Sequence, residues 1–246
     1  MVIVILPAYN EERSIGALLT RVREAMKSSG FECRVIVVND GSSDGTAAVV
    51  DELARELCIE RIDHATNRGL GDAVRTGLVR ALEIAENHDI IITMDSDNTH
   101  APDLIFSMVE GIRAGDDVII ASRYTKGARC TAVPIYRRLL SRAGSWVFRI
   151  VFPTRNVRDF TSGYRAYRSS VIKSAFDAYG EDFVTESGFA CTVDILLKLR
   201  ELGVTMNEVP LILRYDFKYG ISKMLVFQTI RDTLQLIVSR RFGASG

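Results

Sequence analysis

Two aspartates one residue apart, Asp95 and Asp97, follow the apolar run Ile90-Ile91-Ile92-Thr93-Met94. A short β-branched run of that kind reads as a buried strand, so both carboxylates leave a strand end where few bulk waters compete for them. Hard divalent cations take oxygen ligands, and Mg2+ commonly uses one or two carboxylates while sharing the rest of its shell with substrate phosphates and water. A nucleoside diphosphate with a divalent metal is the chemistry this pair suits. The competing role is a helix start, with Asp97 or Asn98 capping a helix that begins near Pro102. A second cluster, Asn39-Asp40-Gly41-Ser42-Ser43-Asp44-Gly45-Thr46, also ends an apolar run. Asp40 can there accept from a base N–H or a ribose hydroxyl, or the stretch is a glycine-rich connection capped by Asp44 or Thr46. Neither cluster has the G-x-G-x-x-G of dinucleotide oxidoreductases or the P-loop pattern of ATPases. The histidines, His64, His88 and His100, are scattered, and only His100 lies beside a candidate site, where a loop hydrogen bond is its commoner use.

Such clusters need strand ends to hold them. Val2 to Leu6 reads as a first buried strand, Ile15, Leu18, Leu19 and Val22 recur at helical spacing, and Arg34 to Asp40 is a second continuous apolar run. The alternation predicts a helix from about 46, strands at 58–62, 89–94 and 118–121, and helices near 71–86 and 102–114. That pattern means an α/β, doubly wound, mostly parallel sheet. Ligands of such sheets sit beyond the carboxyl ends of the strands, and residues 7–11, 40–44 and 95–97 all fall there, converging on one cleft. Past Lys126 the alternation fades. Residues 135–152 place Leu139, Ala143, Trp146, Val147 and Ile150 on one stripe and Arg137, Arg138, Arg142 and Arg149 on the other face. A turn at 161–165, a helix at 189–202, a strand at 204–209 and a last helix at 222–241 complete the expected order.

The chain has 246 residues, 47% hydrophobic and 25% charged, with 31 basic residues balanced by 31 acidic ones. This is an ordinary globular composition, long enough for one large domain, expected as a single unit with halves at 1–125 and 126–246. Zero net charge disfavours wholesale nucleic-acid binding. The four cysteines form no C-x-x-C pair, which argues against a zinc ribbon or a secreted disulfide framework and for a reducing cytosol. The N-terminus lacks the basic lead and length of a signal peptide, and no run of 18 apolar residues occurs. Two basic amphipathic segments, 135–152 with Trp146 and 224–241 with Phe227, Ile230, Leu234 and Val238, suit either a membrane interface, where anionic lipids favour each nearby Arg by about 1 kcal/mol, or packing inside the fold.

Five motifs in order, Leu6-Pro7-Ala8-Tyr9-Asn10-Glu11-Glu12, residues 38–46, Asn67-Arg68-Gly69-Leu70-Gly71, Met94-Asp95-Ser96-Asp97 and Ser122-Arg123-Tyr124, resemble the inverting GT-A nucleotide-sugar glycosyltransferases. Within that class, residues 159–167 (Asp-Phe-Thr-Ser-Gly-Tyr-Arg-Ala-Tyr), Glu208-Val209-Pro210 and Gly220-Ile221-Ser222-Lys223 resemble the polyprenyl-phosphate glycosyltransferases. The resemblance implies a Rossmann-like GT-A sheet with amphipathic interfacial helices. It implies that Pro7, Ala8, Tyr9, Glu11, Asp40, Gly71 and Asp95 hold the nucleoside, and that Asp97, with Asp95, holds Mg2+ or Mn2+. Asp95, Asp97 and Arg123 would form the catalytic set. Arg123, Arg137 and Ser141 would hold the acceptor phosphate, and Lys223 and Lys218 the donor phosphates. Phe217 stands where many relatives place an arginine, flanked by Arg214 and Lys218. The implied reaction moves a hexose, mannose from GDP-mannose foremost, to a polyprenyl (dolichyl) monophosphate with inversion. UDP-glucose or UDP-N-acetylglucosamine is the alternative donor, and a non-catalytic nucleotide-sugar or lipid-phosphate binding subunit the alternative class. The implied setting is peripheral, on the cytoplasmic face of a membrane, with room for a separate transmembrane subunit.

Overall fold

The computed structural model describes residues 1–54, 58–131, 135–217, 235 and 240, with 135–140 described by backbone alone. The first apolar run forms β1 (Val2–Ala8). Because successive side chains of a strand point to opposite faces, Val2, Val4 and Leu6 enter one core while Ile3 and Ile5 enter the other. The alternation then continues through α1 (Glu12–Ser29), β2 (Cys33–Asn39), α2 (Thr46–Ala54), β3 (Ile59–Asp63), α3 (Leu70–Ile84), β4 (Ile90–Thr93), α4 (Leu104–Arg113) and β5 (Val118–Ser122). After β5 come β6 (Arg129–Thr131), α5 (Ile135–Val151), β7 (Arg165–Arg168), α6 (Ser169–Tyr179), α7 (Ala190–Glu201), β8 (Met206–Pro210) and β9 (Ile212–Arg214).

Seven strands make one sheet in the order β3-β2-β1-β4-β7-β5-β8, and β6 pairs with β9 in a small parallel ribbon. In the large sheet only β7 runs against its neighbours, with Thr93 and Ile120 on either side of Arg165. Its reversal brings the start of β7 beside the carboxyl ends of β4 and β5. The expected turn at 161–165 is therefore the entry to a central strand, and α6 follows it where no helix is expected. Apolar cores cover both faces of the sheet. One gathers Ile3, Ile5, Leu78, Phe148, Phe160 and Leu196, and the other Val4, Leu6, Leu18, Ile105, Met108 and Tyr164. Both draw on residues from each side of position 125.

In helix α5 the stripe of Trp146, Val147 and Ile150 faces solvent instead of packing inside the fold, and Ser145 and Phe148, with Phe152 just past the helix, are the buried positions. Phe148 stacks on Phe160 at 5.5 Å between ring centroids. Among the described residues no helix is long and apolar enough to cross a membrane. The expected last helix lies outside the described residues, apart from residues 235 and 240.

Candidate active site

The loops at the carboxyl ends of β1, β2 and β4 are tied to one another by their own polar groups. The Ser96 hydroxyl donates to the Pro7 carbonyl at 2.6 Å, the Asp40 amide to Ala8 at 2.8 Å, the Glu11 amide to the Thr46 hydroxyl at 2.8 Å, and the Ser43 amide to Asn10 Oδ1 at 2.8 Å. Pro7, Ala8, Tyr9 and Glu11 thus stand together at the carboxyl end of β1, with Ala8 buried and Tyr9 exposed. Glu11 accepts from Ser14 Oγ at 2.5 Å.

Asp95 and Asp97 emerge just past β4, half-buried, as their strand-end position predicts. The capping alternative does not occur: α4 starts at Leu104 behind Asp103, and Asp97 Oδ1 instead accepts from the Thr99 amide at 3.1 Å and hydroxyl at 2.7 Å. The Asp95 amide donates to His100 Nδ1 at 3.4 Å, and His100, buried, stacks on Tyr164 at 5.0 Å. The expectation of a loop hydrogen bond for His100 is what the structure shows. Gly163, at the entry to β7, sits so close that a Cβ there would lie 3.4 Å from Asp95 Oδ1. Among the described residues no three His, Cys, Asp or Glu side chains gather as a metal cluster. The donor set is two hard carboxylates, and it fits a divalent cation that completes its shell with diphosphate oxygens and water.

Across the cleft, Arg123 follows β5 and forks onto Asp159, with Nε to Oδ2 at 2.8 Å and Nη2 to Oδ1 at 2.6 Å, while Nη2 also donates to Thr161 at 2.5 Å. Burial alone would raise the Asp159 carboxyl, but Arg123 and the amides of Arg123 and Thr161 outweigh it and hold the acid below its ordinary value. Burial would likewise lower Arg123, and Asp159 more than reverses that. Behind the pair, Glu208 Oε1 accepts the amides of Arg158 and Asp159, each at 2.6 Å. Burial raises the Glu208 carboxyl. Asp159 and Glu208, which hold Arg123 and the turn behind it, were not singled out by residue type; both lie inside motifs that carry the family resemblance. Tyr124 reaches Ser141 on α5, hydroxyl to hydroxyl at 2.7 Å, so Ser141 stands beside the Arg123 turn. The backbone of Arg137 lies one turn earlier on the same helix.

Two residues expected at the nucleoside also make close contacts within the chain. Gly71 offers no open face: its amide donates to the Ser187 carbonyl at 2.9 Å, and a Cβ would collide with the Glu186 carbonyl oxygen. Its role is close approach of residues 186–187 to α3. The Asp40 carboxylate accepts from His64 Nδ1 at 2.7 Å and from the amides of Arg68 and Gly69 at 2.9 and 2.8 Å. Lys218 and Lys223 lie outside the described residues. Phe217 carries two guanidinium groups over its ring, Arg214 at 4.2 Å and Arg21 at 5.3 Å. Arg21 also holds Asn98 of the aspartate loop at 2.7 Å, and the Arg214 amide donates to the Thr99 carbonyl at 2.8 Å.

With that geometry in hand, similarity to known proteins is informative. The chain is 34% identical over 224 residues to an undecaprenyl-phosphate mannosyltransferase of Micrococcus luteus, covering 91% of this chain and 87% of that one. It is 32% identical over 219 residues to a dolichol-phosphate mannosyltransferase of Pyrococcus furiosus, 89% of this chain but 56% of that longer relative. In three dimensions it resembles glucosyl-3-phosphoglycerate synthase from Mycobacterium tuberculosis, solved with Mn2+, uridine diphosphate and phosphoglyceric acid. The TM-score is 0.69 at 18% identity, over 98% of this chain and 78% of that one, a likeness that shows a common α/β GT-A fold. Residues 3–176 match the family described as Glycosyl transferase family 2, and the chain belongs to that family.

Proposed function

We propose that this protein transfers mannose from a nucleoside diphosphate, GDP foremost, to a polyprenyl monophosphate with inversion at the anomeric carbon. The observation that carries this reading is similarity over about nine-tenths of the chain to mannosyltransferases named for undecaprenyl and dolichol phosphate. An oxygen of the acceptor phosphate forms the new bond to the anomeric carbon as the bond to the donor diphosphate breaks. A phosphomonoester with a second pKa of about 6 is already ionised near neutral pH, so the step needs no general base. That agrees with a cleft whose one histidine, His100, is engaged with the Asp95 loop. Asp97 and Asp95 would hold Mg2+ or Mn2+, whose charge offsets the charge growing on the leaving diphosphate. Of the five N–H groups of Arg123, those on Nε and Nη2 go to Asp159 and Thr161. The Nη1 edge suits the acceptor phosphate, with Ser141 beside it. Pro7, Ala8, Tyr9 and Glu11 would line the nucleoside. The exposed ridge of Trp146, Val147 and Ile150, next to the exposed Arg142 and Arg149, would meet the cytoplasmic face of the membrane that carries the acceptor.

A donor panel tests the reading. GDP-mannose, UDP-glucose and UDP-N-acetylglucosamine are each offered with a short polyprenyl phosphate and Mg2+ or Mn2+. GDP-mannose should give a mannosyl phospholipid, chelation should stop turnover, and Asp97→Ala should lower kcat by at least about 100-fold. Transfer from a UDP-sugar alone would move the donor assignment. Tight nucleotide binding without transfer from any donor would favour a non-catalytic subunit.

A further inference from the structure

His64 is a buried histidine just past β3, outside the reacting cleft, and both of its ring nitrogens are engaged. Nδ1 lies 2.7 Å from Asp40 Oδ1 and Nε2 lies 2.9 Å from the Thr76 hydroxyl on α3. An ionised carboxylate has no proton to give, so Nδ1 carries the hydrogen toward Asp40, and Nε2 shares a hydrogen bond with the Thr76 hydroxyl. Asp40 also accepts the amides of Arg68 and Gly69. These amides belong to the start of α3, where Gly69 occupies the cap position without a side chain to fill it. A carboxylate from another strand end supplies that cap, placed where the positive end of the helix favours it. The turn it holds passes so close over Gly41, itself at φ 66°, that a Cβ on Gly41 would collide with the backbone of Thr66.

We propose that His64 is a positioning residue for the nucleotide subsite, acting through Asp40 rather than on the substrate. Asp40 fixes the tautomer of His64 and Thr76 holds the far ring nitrogen, His64 in turn sets the carboxylate of Asp40, and Asp40 sets the Arg68-Gly69 turn beside the carboxyl end of β2. Acid–base duty does not suit this histidine, because both nitrogens are committed and the side chain is 4% exposed. The inference rests on the reading of that cleft as the nucleoside site.

Calorimetric titration of GDP in Mn2+, with donor KM and kcat from the transfer assay, tests it in four variants. His64→Asn keeps an N–H at the Nδ1 position and should stay within about threefold of the parent. His64→Ala and His64→Gln lose the donor to Asp40 and should weaken GDP and raise donor KM by about tenfold or more, with kcat within about threefold, since a hydrogen bond to a charged group is at stake. Thr76→Val removes only the hydroxyl and should shift both constants a few-fold in the same direction. Asn as weak as Ala, or Ala with a lowered melting temperature and unchanged GDP affinity, overturns the proposal. Should His64→Ala fail to fold, Thr76→Val with parental GDP affinity overturns it equally. Parent protein that binds neither GDP nor UDP would overturn the nucleoside-site reading, and this inference with it.

Discussion

At the scale of single residues, the Arg123–Asp159 pair decides how the cleft holds charge. A fully buried carboxylate forked onto the Arg123 guanidinium keeps it in one orientation at the cost of desolvating the ions. Removing one partner of such a pair costs more than the pair is worth, so Asp159→Asn should destabilise the protein by about 3–5 kcal/mol in urea unfolding. The Asp159 carboxyl is held below its ordinary value, so its stabilisation is present above the unfolded value of about 3.9 and is lost as pH falls through the folded one. The gap between parent and variant should therefore close in strong acid. Glu208 runs the other way. Its raised value means that ionisation costs stability as pH rises through it. Glu208→Gln, which keeps an acceptor for the two amides, should melt above the parent at pH 8, with the difference gone near pH 4; a variant that melts lower at both would refute this. Asp95 and Asp97 were legible because their run-then-carboxylate pattern is local. The partner of Arg123 was not, because 36 residues separate it from Asp159 and no spacing rule spans them.

At the scale of elements, the parallel strands were legible from continuous apolar runs and β7 was not. Arg-Ala-Tyr-Arg offers four residues with a charge at each end, and its burial comes from neighbours on both sides. Arg165 is fully buried and donates to the carbonyls of Phe160 and Thr192, which no sequence period announces. Helix α5 was legible as amphipathic, with two uses open for its apolar stripe. Both of its faces contain apolar side chains, and the aromatic pair Phe148 and Phe152 won the core because Phe160 lies beneath it. Trp146 and Ile150, 65% and 58% exposed, are left outside. Replacing both by Ser should reduce sedimentation with anionic vesicles several-fold and leave the melting temperature within about 2 °C, since exposed substitutions change stability by about 0.5 kcal/mol or less. A large fall in melting temperature with unchanged vesicle binding would assign the ridge to packing.

At the scale of the whole molecule, the chain has one tryptophan, and it stands on that ridge rather than in either core. Its indole is already in water in the native protein, so tryptophan emission, excited apart from the eight tyrosines, is nearly blind to unfolding and to events in the cleft. Urea should leave the emission maximum almost where it is while circular dichroism records the loss of the sheet, and titration with anionic vesicles should move the emission to shorter wavelength. A red shift on unfolding would mean that the ring is covered in the native state. With no added dye, the molecule carries a reporter that records where one helix face has been and almost nothing else.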